Sequence, residues 1–164
     1  MRNRAPDQED LVTKADRTRS RWSLPLLRVG MGLFLALWGV DKLAATEGSL
    51  GIFSHFYGLD VGALMVQGAG VAEILLGVLL AVGLFRVPMA WIALAVNAVS
   101  TLASWRQILD PWGWLGLTDG GTHLFLASIV VMAVNVVLVL EARDDAWTLD
   151  AALGRSRGGE PTGG

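Results

Sequence analysis

The sequence contains no cysteine. No disulfide framework, thiolate metal site, thiol nucleophile or CxxC redox pair can be built from it. Histidine occurs only at His55 and His123, without a ligand spacing, so no metal site is expected. Charge is scarce too: 17% of the 164 residues are Asp, Glu, Lys or Arg, against about 25% in an average soluble domain. The formal net charge of -2 excludes an overall basic field for nucleic acid. Apolar residues fill the space, with 53% hydrophobic residues and a mean hydropathy of +0.51.

The apolar residues fall in four runs, and charged residues crowd into 1–21 and 141–164. A helix needs roughly 20 residues to cross a hydrocarbon core of about 30 Å. The runs predict spans at about 22–43, 61–85, 87–105 and 120–140. The expected fold is all-α: a four-transmembrane-helix bundle over 22–140. A polar N-terminal segment, 1–21, precedes it and a tail, 141–164, follows it. The end of that tail, 154–164, is rich in Gly, Ser, Arg and Pro and is expected to be disordered. The stretch before the first run is too polar and too long for a signal peptide, so that run is read as a retained helix. Lysine and arginine split ten to two between the two sides, Arg28 apart. The positive-inside rule then puts both termini in the cytoplasm of a multi-pass cell-membrane protein. Arg86-Val87-Pro88 predicts a tight hairpin turn, with Pro88 in the first turn of the third helix. The connection 43–60, with Leu50, Ile52, Phe53, Phe56 and Tyr57, predicts a short helix on the membrane surface. The connection 106–119 holds Asp110-Pro111-Trp112-Gly113-Trp114, a turn with two interfacial anchors.

Polar residues inside the runs are the candidate site. Glu73 has twelve uncharged residues on each side and is expected near the midplane. An acid there costs several kcal/mol unless neutral, paired or wetted. Two readings stand: a proton-handling or ligand-binding acid, or a structural partner for Arg28. Arg28 either reaches Glu73 or snorkels to headgroups. Gly70, Glu73 and Gly77 share one helical face, as do Arg28, Gly32, Gly39 and Lys42. Lipid would reject the acid, and glycines let helices approach closely, so these two faces are expected to pack together. Lys42 reads as a solvated end charge. Asn97, Thr101 and Ser104 form a stripe from the depth of Glu73 outward. It either lines a polar cavity or makes interhelical hydrogen bonds. The candidate binding residues are Arg28, Glu73 and Asn97, and no catalytic residue is identifiable.

Leu27-Arg28, Gly39-x-x-Lys42-Leu43, Phe53 and Gly70-x-x-Glu73-x-x-x-Gly77-x-x-x-x-x-Gly83, followed by a basic residue and a short turn, resemble the DoxX family of small four-helix membrane proteins. Gly39, Lys42, Gly70 and Gly77 are motif positions of that resemblance, which covers about 22–140. The family includes DoxD-like subunits of thiosulfate:quinone oxidoreductase. The resemblance therefore implies a membrane subunit of a quinone-linked redox complex, with a redox-protein partner. No cofactor is encoded by a visible motif, flavin and haem included, and quinone is the one that the resemblance implies. The alternatives are a non-catalytic protein that binds or moves a small lipid-like molecule, and a scaffold for a partner or for homo-oligomers in the bilayer.

Overall fold

The computed structural model describes residues 8–157 apart from 144 and 146, with side chains placed between 22 and 154. The described residues form helices and connections, with no strand. The helices are α1 (Gln8–Ala44), α2 (Thr46–Tyr57), α3 (Ala63–Val82), α4 (Arg86–Ala103), α5 (Trp105–Leu109), α6 (Ala127–Leu140) and α7 (Leu149–Arg157), with a 3-10 turn at His123–Leu126 leading into α6. Four stretches are long and apolar enough to cross a membrane: Trp22–Ala44, Ala63–Val82, Arg86–Ala103 and His123–Leu140. Large apolar side chains stay exposed all along them, among them Leu26, Leu33, Leu37, Leu75, Val99 and Val130. In water such helices would show polar outer stripes. In lipid an apolar outer face is the stable one. An even number of spans brings both chain ends to one side, here called the terminal end. The other is the α2 end.

α1 packs mainly on α3, and α4 on α6. The first contact follows from four glycines. A Cβ on Gly32 would lie 2.5 Å from the Gly77 carbonyl oxygen, and one on Gly39 would lie 2.5 Å from that of Gly70. The two glycine faces therefore do meet, backbone against backbone. Their antiparallel register sets Glu73 level with Ala36, and Arg28 level with Ala81. The core lies between the two pairs and is built from Met31, Leu35, Leu76, Leu80, Ala90, Ala93 and Leu138.

Helix ends are set locally. α3 stops at Gly83, whose left-handed φ of 71° lets its turn return amides to the Leu79 and Leu80 carbonyls. Pro88 falls in the first turn of α4. α2 occupies the first long connection. Its last residue, Tyr57, hydrogen-bonds Ser100 of α4 at 3.0 Å, and Phe56 meets Phe125, with ring centroids 5.5 Å apart. α2 thus ties α1 to the other helix pair at the α2 end.

α1 starts at Gln8 and runs unbroken through Pro25, so residues 8–21 of the polar N-terminal segment are its first part. α7 is helical to Arg157, and of the stretch 154–164 expected to be disordered, 158–164 lies outside the described residues, as do 1–7.

The third connection is organised by one acid. Asp110 is buried, and its carboxylate accepts the amides of Leu115 at 3.1 Å and Leu117 at 2.9 Å, while the Thr118 hydroxyl donates to its carbonyl at 2.6 Å. Burial works to raise its pKa, but the amides of Leu115, Leu117, Thr118 and Trp114 outweigh it and leave the pKa lowered. Its contribution to stability is therefore fully present above the unfolded value, about 3.9, and is lost as pH falls through the lower folded value. Amide exchange at Leu117 and Thr118 should stay slow down to about pH 4 and accelerate below it. Asp110→Asn should remove that pH dependence. Equal acid sensitivity in both proteins would show that Asp110 does not hold the loop.

Candidate functional site

The three candidate binding residues do not converge. Arg28, Glu73 and Asn97 sit in three separate places along the bundle, and the supposed Arg28–Glu73 pair is replaced by two ion pairs.

Arg28 lies at the terminal end and is buried. Its Nε donates to Asp145 Oδ2 at 2.8 Å. Nη1 donates to the carbonyls of Leu80 and Ala81, at 3.1 and 2.6 Å, and Nη2 to that of Trp147 at 2.6 Å. A guanidinium has five N–H donors, and four find these partners. The Leu80 and Ala81 carbonyls belong to the last turn of α3, where a helix end leaves acceptors unfilled and partial negative charge. Arg28 thus ties α1, the end of α3 and the tail together. Gly83 permits it, since a Cβ there would lie 2.5 Å from Nη1. The tail is fixed at further points. Arg86 donates to the Asp145 carbonyl, and Asp150 accepts the amides of Phe85 and Arg86 at 3.0 and 2.9 Å. Those two amides begin α4, so Asp150 caps it from the tail. Trp147 stacks near Trp22, with centroids 4.8 Å apart.

Glu73 takes Lys42 as its partner. Lys42 Nζ lies 2.8 Å from Glu73 Oε2. Lys42 is six residues beyond Ala36 on α1, so its backbone stands roughly 9 Å nearer the α2 end than Glu73. The expected solvated end charge therefore turns inward. The reason is the acid: an unpaired carboxylate at that depth costs more than the bending of one flexible lysine. The side chains are 14% and 17% exposed, so the pair is not sealed inside the bundle. Lys42 Nζ also stands 5.5 Å from the centroid of the Trp38 ring, and Phe34 meets Trp38 edge-on at 6.3 Å. Phe34, Trp38 and Lys42 follow at i, i+4 and i+8, one strip of α1 that ends on the ion pair.

Asn97 is buried beside Met31. Its amide nitrogen donates to the Ala93 carbonyl at 3.0 Å and lies 3.8 Å from Met31 Sδ. Asn135 approaches the same sulfur at 3.6 Å from α6 and donates to Val131 at 2.8 Å. Met31 is five residues from the level of Glu73, so Asn97 sits roughly 8 Å deeper toward the terminal end than expected. At the end of the stripe 97–101–104, Ser104 donates to the Ser100 carbonyl of its own helix at 2.9 Å.

Asp145 was missed because it lies past the last apolar run, among charges that read as solvated. The usable signal was Arg28: a buried cation near the terminal end needs an anion at the same end. Among the described residues no group of histidines and acids could hold a metal ion.

A bundle of four apolar spans, crossed by two ion pairs, defines a multi-pass integral membrane protein. The DoxX family profile matches residues 23–105, half of the chain, and the protein belongs to that family. The match contains Arg28, Lys42, Glu73 and Asn97. Asp145 lies beyond it. No curated protein and no solved structure matches the chain.

Proposed function

We propose that this DoxX protein is the membrane subunit of a quinone-linked redox assembly, and that the quinone ring docks where Phe34 and Trp38 lead to Lys42 and Glu73. The observation that carries this reading is the Lys42–Glu73 pair, held at 2.8 Å within an apolar span and still partly open. A quinone is an apolar molecule whose carbonyl oxygens need a donor and, on reduction, protons. The residues present fit that need. Lys42 donates to a carbonyl oxygen, Trp38 offers a ring face, and Glu73 is placed to pass a proton. Reduction takes two electrons and two protons per quinone. The electrons come from a partner redox protein, because the chain has no thiol couple of its own. The family's DoxD-like members of thiosulfate:quinone oxidoreductase support the same reading.

Quinone is expected to co-purify with the protein in mild detergent. Lys42→Met should lose most of it, and Glu73→Gln should retain it while abolishing quinol formation by the assembly. A protein that never carries quinone, or a Glu73→Gln variant with full activity, would overturn the proposal. Carriage of another amphiphile that Lys42→Met releases would favour a non-catalytic lipid-binding protein.

The lysine and arginine asymmetry supports an orientation with the terminal end in the cytoplasm. Cysteines placed at the exposed positions Ser54 and Asp119 should react with an impermeant thiol reagent in intact cells, and one at Arg143 should not. Labelling confined to Arg143→Cys would reverse the orientation.

A further inference from the structure

A crevice opens at the terminal end between α1, α4, α6 and the tail. Leu24, Leu138 and Ala142 line its apolar side, and Arg86, Glu141 and Asp145 its polar side, next to Arg28. It encloses about 10 Å³, room for one water, so no small molecule is swallowed whole there. Anything larger must lie across the mouth with a polar group pointing in.

The charges at the mouth are not balanced in pairs. Arg28 and Asp145 neutralise each other. Arg86 gives one guanidinium nitrogen to the Asp145 carbonyl, a neutral acceptor, and among the described residues no carboxylate meets its remaining donors. Glu141 is exposed. Among the described residues neither Arg86 nor Glu141 joins a salt bridge. The helix end beside them offers nothing further, since Asp150 already takes the first amides of α4. The level is that of lipid headgroups, because Trp22, Trp91 and Trp147 are all exposed at this end. Among the described residues that line the crevice, one cation, Arg86, and one anion, Glu141, therefore lack an ion-pair partner at headgroup depth, beside an apolar wall.

We propose that this crevice is a site for a phospholipid with a primary-amine headgroup, phosphatidylethanolamine being the fitting class. Its phosphate meets Arg86, its ammonium meets Glu141, and an acyl chain leaves the mouth past the half-buried Leu24. A guanidinium donates to two phosphate oxygens at once, which fixes the phosphate. Glu141 then selects the headgroup. It attracts an ammonium and gives an uncharged glycerol no equivalent gain. The site is at the opposite end from the Lys42–Glu73 pair and does not depend on quinone.

The test is competition between dioleoyl phosphatidylethanolamine and dioleoyl phosphatidylglycerol for the full chain in mild detergent, read by native mass spectrometry. An exposed charge pair predicts a preference for the amine lipid of roughly two- to fivefold. Glu141→Gln should abolish that preference without altering the fold, since Glu141 makes no protein contact that holds a helix. Arg86→Gln should lower retention of both lipids. Inorganic phosphate at the same concentration should not displace either. Equal binding of the two lipids by the unaltered protein, an unchanged preference in Glu141→Gln, or displacement by inorganic phosphate alone would each overturn the proposal. If Arg86→Gln does not fold, the Glu141 comparison decides.

Discussion

Asp145→Ala is expected to destabilise the protein by about 3–5 kcal/mol, the usual cost of stranding one member of a buried ion pair. Asp145 is 5% exposed, and so is Arg28. Without the carboxylate the guanidinium keeps its carbonyl partners but has no counter-charge, and it cannot reach water without leaving the last turn of α3. The loss should spread. The Asp145 carboxylate also accepts the Trp147 amide at 3.1 Å, so the tail loses its turn as well as its anchor. Arg28→Gln should cost a similar amount, and Arg143→Ala, an exposed change two residues away, should stay within about 0.5 kcal/mol. Detergent thermal unfolding provides the measurement. Truncation after Leu140 should behave like Asp145→Ala or worse, although it removes no residue of the four spans. If Asp145→Ala matched Arg143→Ala in stability, the tail would be an ornament rather than part of the fold.

The second large effect is at the glycine crossing. Gly32→Leu and Gly77→Leu should each cost about 3 kcal/mol or more, the upper end of overpacking. A Cβ at Gly77 would lie 2.7 Å from the Ala36 backbone nitrogen, and one at Gly32 would meet both the carbonyl of Gly77 and the Ala81 backbone. Backbone atoms of two packed helices cannot step aside as a side chain can. The control lies two residues away in the same helix. Gly30 has nothing within 4 Å of an added Cβ, so Gly30→Leu should be neutral or stabilising by about 0.5 kcal/mol through helix propensity. Equal destabilisation at Gly30 and Gly32 would mean that helix propensity, not the crossing, governs α1. The same crossing sets the depth of the polar groups, because its register holds Glu73 within reach of Lys42.

The four spans and the meeting of the glycine faces were legible because each rests on local pattern: length and apolarity for the spans, a shared helical face for Gly32, Gly39, Gly70 and Gly77. The pairing of charges was not. Arg28 and Asp145 are 117 residues apart, and no period in the sequence links them. The reading that pairs Glu73 with Arg28 fails on depth: Arg28 stands level with Ala81 and Glu73 level with Ala36, on the same two helices but about eight residues, roughly 12 Å, apart. The inward turn of Lys42 is hidden for a similar reason. Its position at a helix end suggested water, but its long side chain decides where the charge goes. The hydrogen-bonding of Asp110 was hidden because loop structure depends on which amides the chain brings round to one carboxylate.

The charges of the bundle form two independent pairs, Arg28 with Asp145 and Lys42 with Glu73. A double-mutant cycle anchored on Arg28 tests that independence most directly, with stability read from unfolding in denaturing detergent. Arg28→Gln combined with Asp145→Asn should show a coupling of about 1–3 kcal/mol, while Arg28→Gln combined with Glu73→Gln should be additive within about 0.5 kcal/mol. Coupling of Arg28 to Glu73, with additivity toward Asp145, would contradict it.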